Sequence, residues 1–160
     1  MTDRPIRSLP DGITFGPARP EDLKALVPID RGSPQAWSEG AFAGEMRHDP
    51  PTLFVLRSSA QAIAFTVARL QAPEMDILNL TVDPGCRRQG LGRVLLRALL
   101  EHSFAAGIRS VFLEVREGNK AARRLYRSAG FEESQRRRGF YREPVEDAIL
   151  MRLEMSHQRG

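Results

Sequence analysis

From Thr52 to Leu70 the chain reads TLFVLRSSAQAIAFTVARL, two apolar runs rich in β-formers separated by Ser-Ser-Ala-Gln. Runs of this kind around a short polar turn predict an antiparallel hairpin. A further strand follows at MDILNLTV, residues 75–82. The period then changes: Leu91, Val94, Leu95, Ala98 and Leu99 recur every three or four residues, predicting a helix over 90–107 that Gly107 stops. SVFLEV, 110–115, returns to strand spacing, and Asn119 is placed to cap a short helix, AARRLYRSA, ended by Gly130. Two closing strands are expected at 131–141 and 147–155. Upstream, ITFGPA, 13–18, reads as the first strand, and Pro20-Glu21-Asp22 opens a helix with its acids at the positive end. After the loop RGSPQAW, Ser38 caps a second helix bearing Phe42 and Met46, stopped by Asp49-Pro50-Pro51. The order β-α-α-β-β-β-α-β-α-β-β predicts an α/β (α+β) fold, a mixed sheet with helices packed on it.

The chain is 160 residues long, enough for one domain with a real core. Residues 13–156 are expected to form that domain after a short flexible tail, 1–12. No apolar run approaches a membrane span and the start, MTDRPIRSLPDG, lacks a signal-peptide core, so the expectation is a cytoplasmic protein with no membrane partner. The single cysteine, Cys86, and the scattered His48, His102 and His157 exclude an internal disulfide and predict no metal site. Net charge is +4, but only Arg136, Arg137 and Arg138 are clustered and no reader motif accompanies them, so direct nucleic-acid binding is not expected. A mildly basic surface suits an anionic cofactor.

The segment VDPGCRRQGLGRVLLRALL, 82–100, joins a strand to a helix N-terminus through a glycine-rich turn, a recurring solution for holding phosphate. Gly90 and Gly92 carry no Cβ to obstruct an anion, and Arg87 and Arg88 add charge. Neither the P-loop Gly-Lys-Ser/Thr nor the third glycine of the dinucleotide fingerprint is present. On this motif alone a plain strand-to-helix turn remains an equal reading.

Arg87-Arg88-Gln89-Gly90-Leu91-Gly92 resembles the Arg/Gln-x-x-Gly-x-Gly/Ala signature of the GNAT N-acetyltransferases. Asn119 to Phe131, NKAARRLYRSAGF, resembles the same family's Asn-x-x-Ala-x-x-Leu-Tyr-x-x-x-Gly-Phe segment. Ala36-Trp37-Ser38, Ile77 to Pro84, Leu113-Glu114-Val115-Arg116, and Tyr141 followed by Glu146 to Met151 are similar to its ribosomal-protein alanine N-acetyltransferase (RimI) type. That type's Tyr-Tyr-Pro is here Phe140-Tyr141-Arg142-Glu143-Pro144, and Arg31 to Gln35 also departs from it. The resemblance implies a GNAT-like, mostly antiparallel central sheet with helices on both faces. It also implies transfer from acetyl-coenzyme A to a protein N-terminal α-amine by direct attack in a ternary complex. The acceptor would be a protein or peptide N terminus, a ribosomal protein among the candidates, and the enzyme a monomer or weak dimer. A relative acetylating a lysine or small amine, and a non-catalytic acyl-coenzyme A module, are the alternatives.

Site residues follow from the same likeness. Leu80, Thr81 and Val82 would hold pantetheine and the thioester oxygen through their backbone. Arg87, Arg88, Gln89, Gly90, Leu91, Gly92 and Arg93 would cradle the pyrophosphate, with Asn119, Ala122 and Tyr126 also against coenzyme A. Trp37, Asn79, Glu114, Tyr141 and Glu146 would meet the acceptor. Glu114 sits in a strand apolar enough to be internal, where a carboxylate is either working, here as general base through water, or paired with Arg116 or another arginine. Tyr126 is either the acid that protonates the departing thiolate or a core aromatic. Asn119 also has an N-cap role. Cys86 has no histidine beside it in sequence and reads as a bystander.

Overall fold

A computed structural model describes residues 9–156. Seven strands and four α-helices are present among them: β1 (Ile13–Pro17), α1 (Leu23–Asp30), α2 (Glu39–Glu45), β2 (Leu53–Ser58), β3 (Gln61–Gln71), β4 (Glu74–Val82), α3 (Leu91–Ala105), β5 (Ser110–Arg116), α4 (Lys120–Ser128), β6 (Glu132–Arg142) and β7 (Val145–Glu154). The strand order is β1-β2-β3-β4-β5-β7-β6. Strands β4 and β5 run parallel, whereas β1–β2, β2–β3, β5–β7 and β6–β7 are antiparallel, and α3 supplies the long connection that a parallel pair requires. The α/β class and the element order read from the sequence are those observed.

The chain divides into two compact units. The first comprises the described residues up to Ala68 together with Asn79–His102, the second Arg69–Leu78 with Ser103 onward. In the first, β2 is buried along both faces, which explains its uninterrupted apolar run. Leu53 and Val55 join Phe65 and Val67 of β3 under Leu26, Ile29 and Phe42 of α1 and α2. Leu56 and Ala64 join Leu91 and Leu95 of α3 in a separate cluster. Because successive strand side chains alternate, these clusters lie on opposite faces, so helices cover both sides of these strands. The Ser59-Ala60 turn takes positive φ at both residues, matching the twist of a two-residue hairpin. Of the tail expected at 1–12, residues 1–8 lie outside the described residues, whereas Leu9 packs against the second cluster.

In the second unit β5 buries Val111, Leu113 and Val115 on one face and turns Ser110, Phe112, Glu114 and Arg116 to the other. Glu114 lies opposite Leu150, and Arg116 opposite Ala148. The edge strand β6 carries EESQRRRGFYR and is exposed throughout except at Tyr141, charge replacing cover on a free edge. Its register with β7 shifts between Glu133 and Gln135 and again between Arg137 and Tyr141. Both capped helices form as the sequence predicts: the Ala41 and Ala122 amides donate to the Ser38 hydroxyl and the Asn119 side chain, each at 3.1 Å.

Candidate active site

The glycine-rich junction belongs to the first unit. Strand β4 ends in a turn that Asp83 builds, its carboxylate accepting from the Gly85 amide at 2.9 Å. The Asp83 amide itself donates to Ile63 of β3 at 2.8 Å, fastening the turn to the sheet. The loop then takes positive φ at Arg88 (65°) and at Gly90 (74°) before α3 begins at Leu91. Left-handed residues turn consecutive amides toward one side and make an anion-binding concavity. The first-turn amides of α3 add donors without intrahelical partners. Arg87, Arg88, Gln89 and Gly90 are exposed, whereas Leu91 is buried and pins the helix start. A Cβ on Gly90 would meet nothing within 4 Å, so the residue keeps the loop surface open there. These features fit a diphosphate.

Along the end of β4, Leu80 and Val82 pack into the core while Asn79 and Thr81 face the other way. The Thr81 hydroxyl donates to the Asn79 side-chain oxygen at 2.6 Å, and the Thr66 hydroxyl to the Asn79 backbone carbonyl at 2.7 Å. Trp37 is held from below: Asp30, fully buried, accepts from the Trp37 amide and the Ser33 hydroxyl, each at 2.7 Å. The indole packs on Phe42, 5.6 Å between ring centres. Sequence reasoning passed over Asp30. Its only signal is the short loop of small and polar residues that follows it.

The remaining residues lie in the second unit. Strand β5 is internal, as its composition predicts, but Glu114 is not buried: its side chain is 34% exposed. Its ion-pair partner is Arg137 of β6 at 3.4 Å, so among the readings left open it is another arginine that pairs with it, not Arg116. An ion pair this exposed contributes little to stability. Arg116 is engaged by Glu146, 3.2 Å away, and stacks over Tyr141. Glu114, Arg116, Tyr141 and Glu146 thus share one face of the sheet, Tyr141 lying directly opposite Glu146.

Tyr126 is buried on α4 and meets Phe131 edge-on at 5.5 Å. Burial pushes its phenol far above the ordinary tyrosine value, so the hydroxyl is held protonated. Ala122, one turn earlier, lies on the same side of the helix that Asn119 caps. Among the described residues no group of three or more His, Cys, Asp or Glu could hold a metal, and no helix is long and apolar enough to cross a membrane.

The model of the acetyltransferase (GNAT) family matches residues 21–131, well over half of the chain. This chain belongs to the GNAT family. The stretch common to the GNAT acetyltransferases takes in Trp37, the 87–93 loop, Glu114, Asn119 and Tyr126, and ends before Tyr141 and Glu146. Among characterised members, the chain is similar to the ribosomal protein bS18 alanine N-acetyltransferase of Escherichia coli, 38% identical over 84% of this chain and 93% of that one. It is also 38% identical to the N-alpha-acetyltransferase RimI of Mycobacterium tuberculosis, over 74% of this chain and 75% of that one. The crystal structure of the E. coli enzyme superposes with a TM-score of 0.81 at 35% identity, covering 92% of this chain and 96% of that one. The GNAT fold expected from the sequence is therefore the fold observed.

Proposed function

We propose that this GNAT acetyltransferase moves the acetyl group of acetyl-coenzyme A to the α-amine of a protein or peptide N terminus, by direct attack in a ternary complex. The observation that carries the reading is the 38% identity, over 84% of this chain and 93% of the other, to an enzyme named for acetylating the alanine of a ribosomal protein. The loop from Arg87 to Arg93 and the backbone of Leu80, Thr81 and Val82 hold the donor, whose thioester supplies the activated acetyl group. An α-ammonium ionises near 7.7–8.0, so a modest base suffices. Glu114, open to solvent, takes its proton through water. The freed nitrogen attacks the thioester carbonyl carbon, the carbon–sulfur bond breaks, Tyr126 gives its proton to the departing sulfur, and the second proton shed by the new amide nitrogen restores the phenol. By the family likeness, Trp37 and Asn79 in the first unit and Tyr141 in the second are each assigned to the acceptor.

Two outcomes follow. Gly90→Val weakens acetyl-coenzyme A by about tenfold, because a β-branched residue resists the left-handed conformation by roughly 1–2 kcal/mol and adds bulk where phosphate approaches. Calorimetry on the folded variant reads this, and unchanged affinity removes the loop from the donor site. Second, peptides with a free N-terminal alanine release coenzyme A far faster than N-blocked peptides with internal lysines. The reverse order moves the assignment to a lysine acetyltransferase, and release with neither makes the protein an acyl-coenzyme A binder without this activity.

A further inference from the structure

The β6–β7 hairpin tip, Arg142 to Val145, is exposed and carries no apolar anchor of its own, Val145 being 76% exposed. It is nonetheless tied to the sheet by a chain of polar groups. The Arg116 Nη1 donates to the Pro144 carbonyl and to one Glu146 oxygen, each at 3.2 Å. The other Glu146 oxygen accepts from the Gly118 amide at 2.7 Å, in the turn between β5 and α4. Both carboxylate oxygens of Glu146 are thus engaged within the protein. A Cβ at Gly118 would lie 2.6 Å from the Glu146 carboxylate, so a side chain there would push that carboxylate from its place. The Arg116 guanidinium lies 4.1 Å over the Tyr141 ring, and its Nη2 is buried with no hydrogen-bond partner among the described residues, which leaves the ring as its further attraction. With Arg116 14% and Glu146 24% exposed, the pair is screened far less than the surface pairs around it.

We infer that Arg116 and Glu146 are positioning residues for the acceptor, locking Tyr141 and the hairpin tip on the face that carries Glu114. The inference rests on the reading of this face as the acceptor side. A side chain whose oxygens are both occupied is poorly placed to bind substrate, but it fixes three chain segments at once: the end of β5, the turn at Gly118 and the hairpin tip. The Tyr141 phenol supports the arrangement, raised first by burial and then by Glu114 and Glu146, with Arg116 opposing, so both carboxylates act on the same ring hydroxyl. Loosening this lock displaces Tyr141 while leaving Glu114 on its own strand, β5.

The chain holds only two tyrosines, so tyrosine-labelled NMR reads Tyr141 with Tyr126 as internal reference. Arg116→Met and Glu146→Gln should shift the Tyr141 ring resonances and leave those of Tyr126 in place. They should also raise the KM of an N-terminal alanine peptide, by up to about a hundredfold, as misplacing a substrate-holding group does. Acetyl-coenzyme A affinity should stay at the wild-type value. Arg116→Lys, which keeps the charge but not the flat fork, should restore part of the KM and also guards against a variant that fails to fold. The inference is overturned if Tyr141 moves while KM does not, or if KM and donor affinity worsen together with shifts at Tyr126, the mark of a general structural loss. A wild-type protein inactive on every peptide would instead remove the underlying functional reading.

Discussion

Tyr126→Phe is expected to lower kcat by about 10²–10⁴-fold while leaving acetyl-coenzyme A affinity nearly unchanged. The substitution removes one oxygen from a buried ring that keeps its edge contact with Phe131, so packing and donor binding survive. On the proposed assignment, what disappears is the proton for the departing sulfur. Burial holds the phenol protonated, and the same dry surroundings raise the basicity of a thiolate forming beside it, so the transfer stays favourable as charge develops. Ionisation of Tyr126 therefore does not limit the rate below the ordinary phenol value of about 10. The sign for stability follows. With the folded-state value above the unfolded one, the associated stability is intact below about pH 10 and is lost as pH rises beyond it. A Tyr126→Phe variant with wild-type kcat and an unchanged melting temperature would reduce Tyr126 to packing.

Glu114→Gln is expected to lower kcat as well, by a comparable general-base factor of about 10²–10⁴, with recovery as pH rises. The carboxamide cannot take a proton, yet above the α-amine value of about 8 the free amine is supplied by solvent. Rescue by pH should be absent in Tyr126→Phe, because alkali cannot donate a proton, so the two pH profiles separate base from acid. Removing Glu114 also releases Arg137, but that pair is 52% and 34% exposed and its loss should scarcely move the melting temperature. A flat pH response with normal kcat would leave Glu114 only the Arg137 pairing.

Local rules made much of this legible. The continuous apolar, β-rich runs of β2 and β3, the apolar face of α3, and the Ser38 and Asn119 caps each depend on local sequence, and each forms as read. The turn at 87–92 was legible for the same reason, glycine and arginine being set in one contiguous stretch before the helix start at Leu91. Side-chain partnerships across the sheet were not. Which arginine meets Glu114 depends on how β6 registers on β7, and two irregularities in that register, near Ser134 and Gly139, have no sequence rule that locates them. The expectation of an internal strand at Glu114 holds, but the exposure of its side chain was not legible, because β5 is covered on the face of Val111, Leu113 and Val115 and open on the other. The engagement of both Glu146 oxygens and the buried grip of Asp30 on Trp37 are equally three-dimensional.

The most direct test of N-terminal acetyl transfer uses one peptide that carries both a free N-terminal alanine and an internal lysine, incubated with the protein and acetyl-coenzyme A and sequenced by tandem mass spectrometry. A single acetyl group on the alanine α-nitrogen, with the lysine unmodified, is the expected product. An acetyl group on the lysine with the α-amine left free would contradict the account.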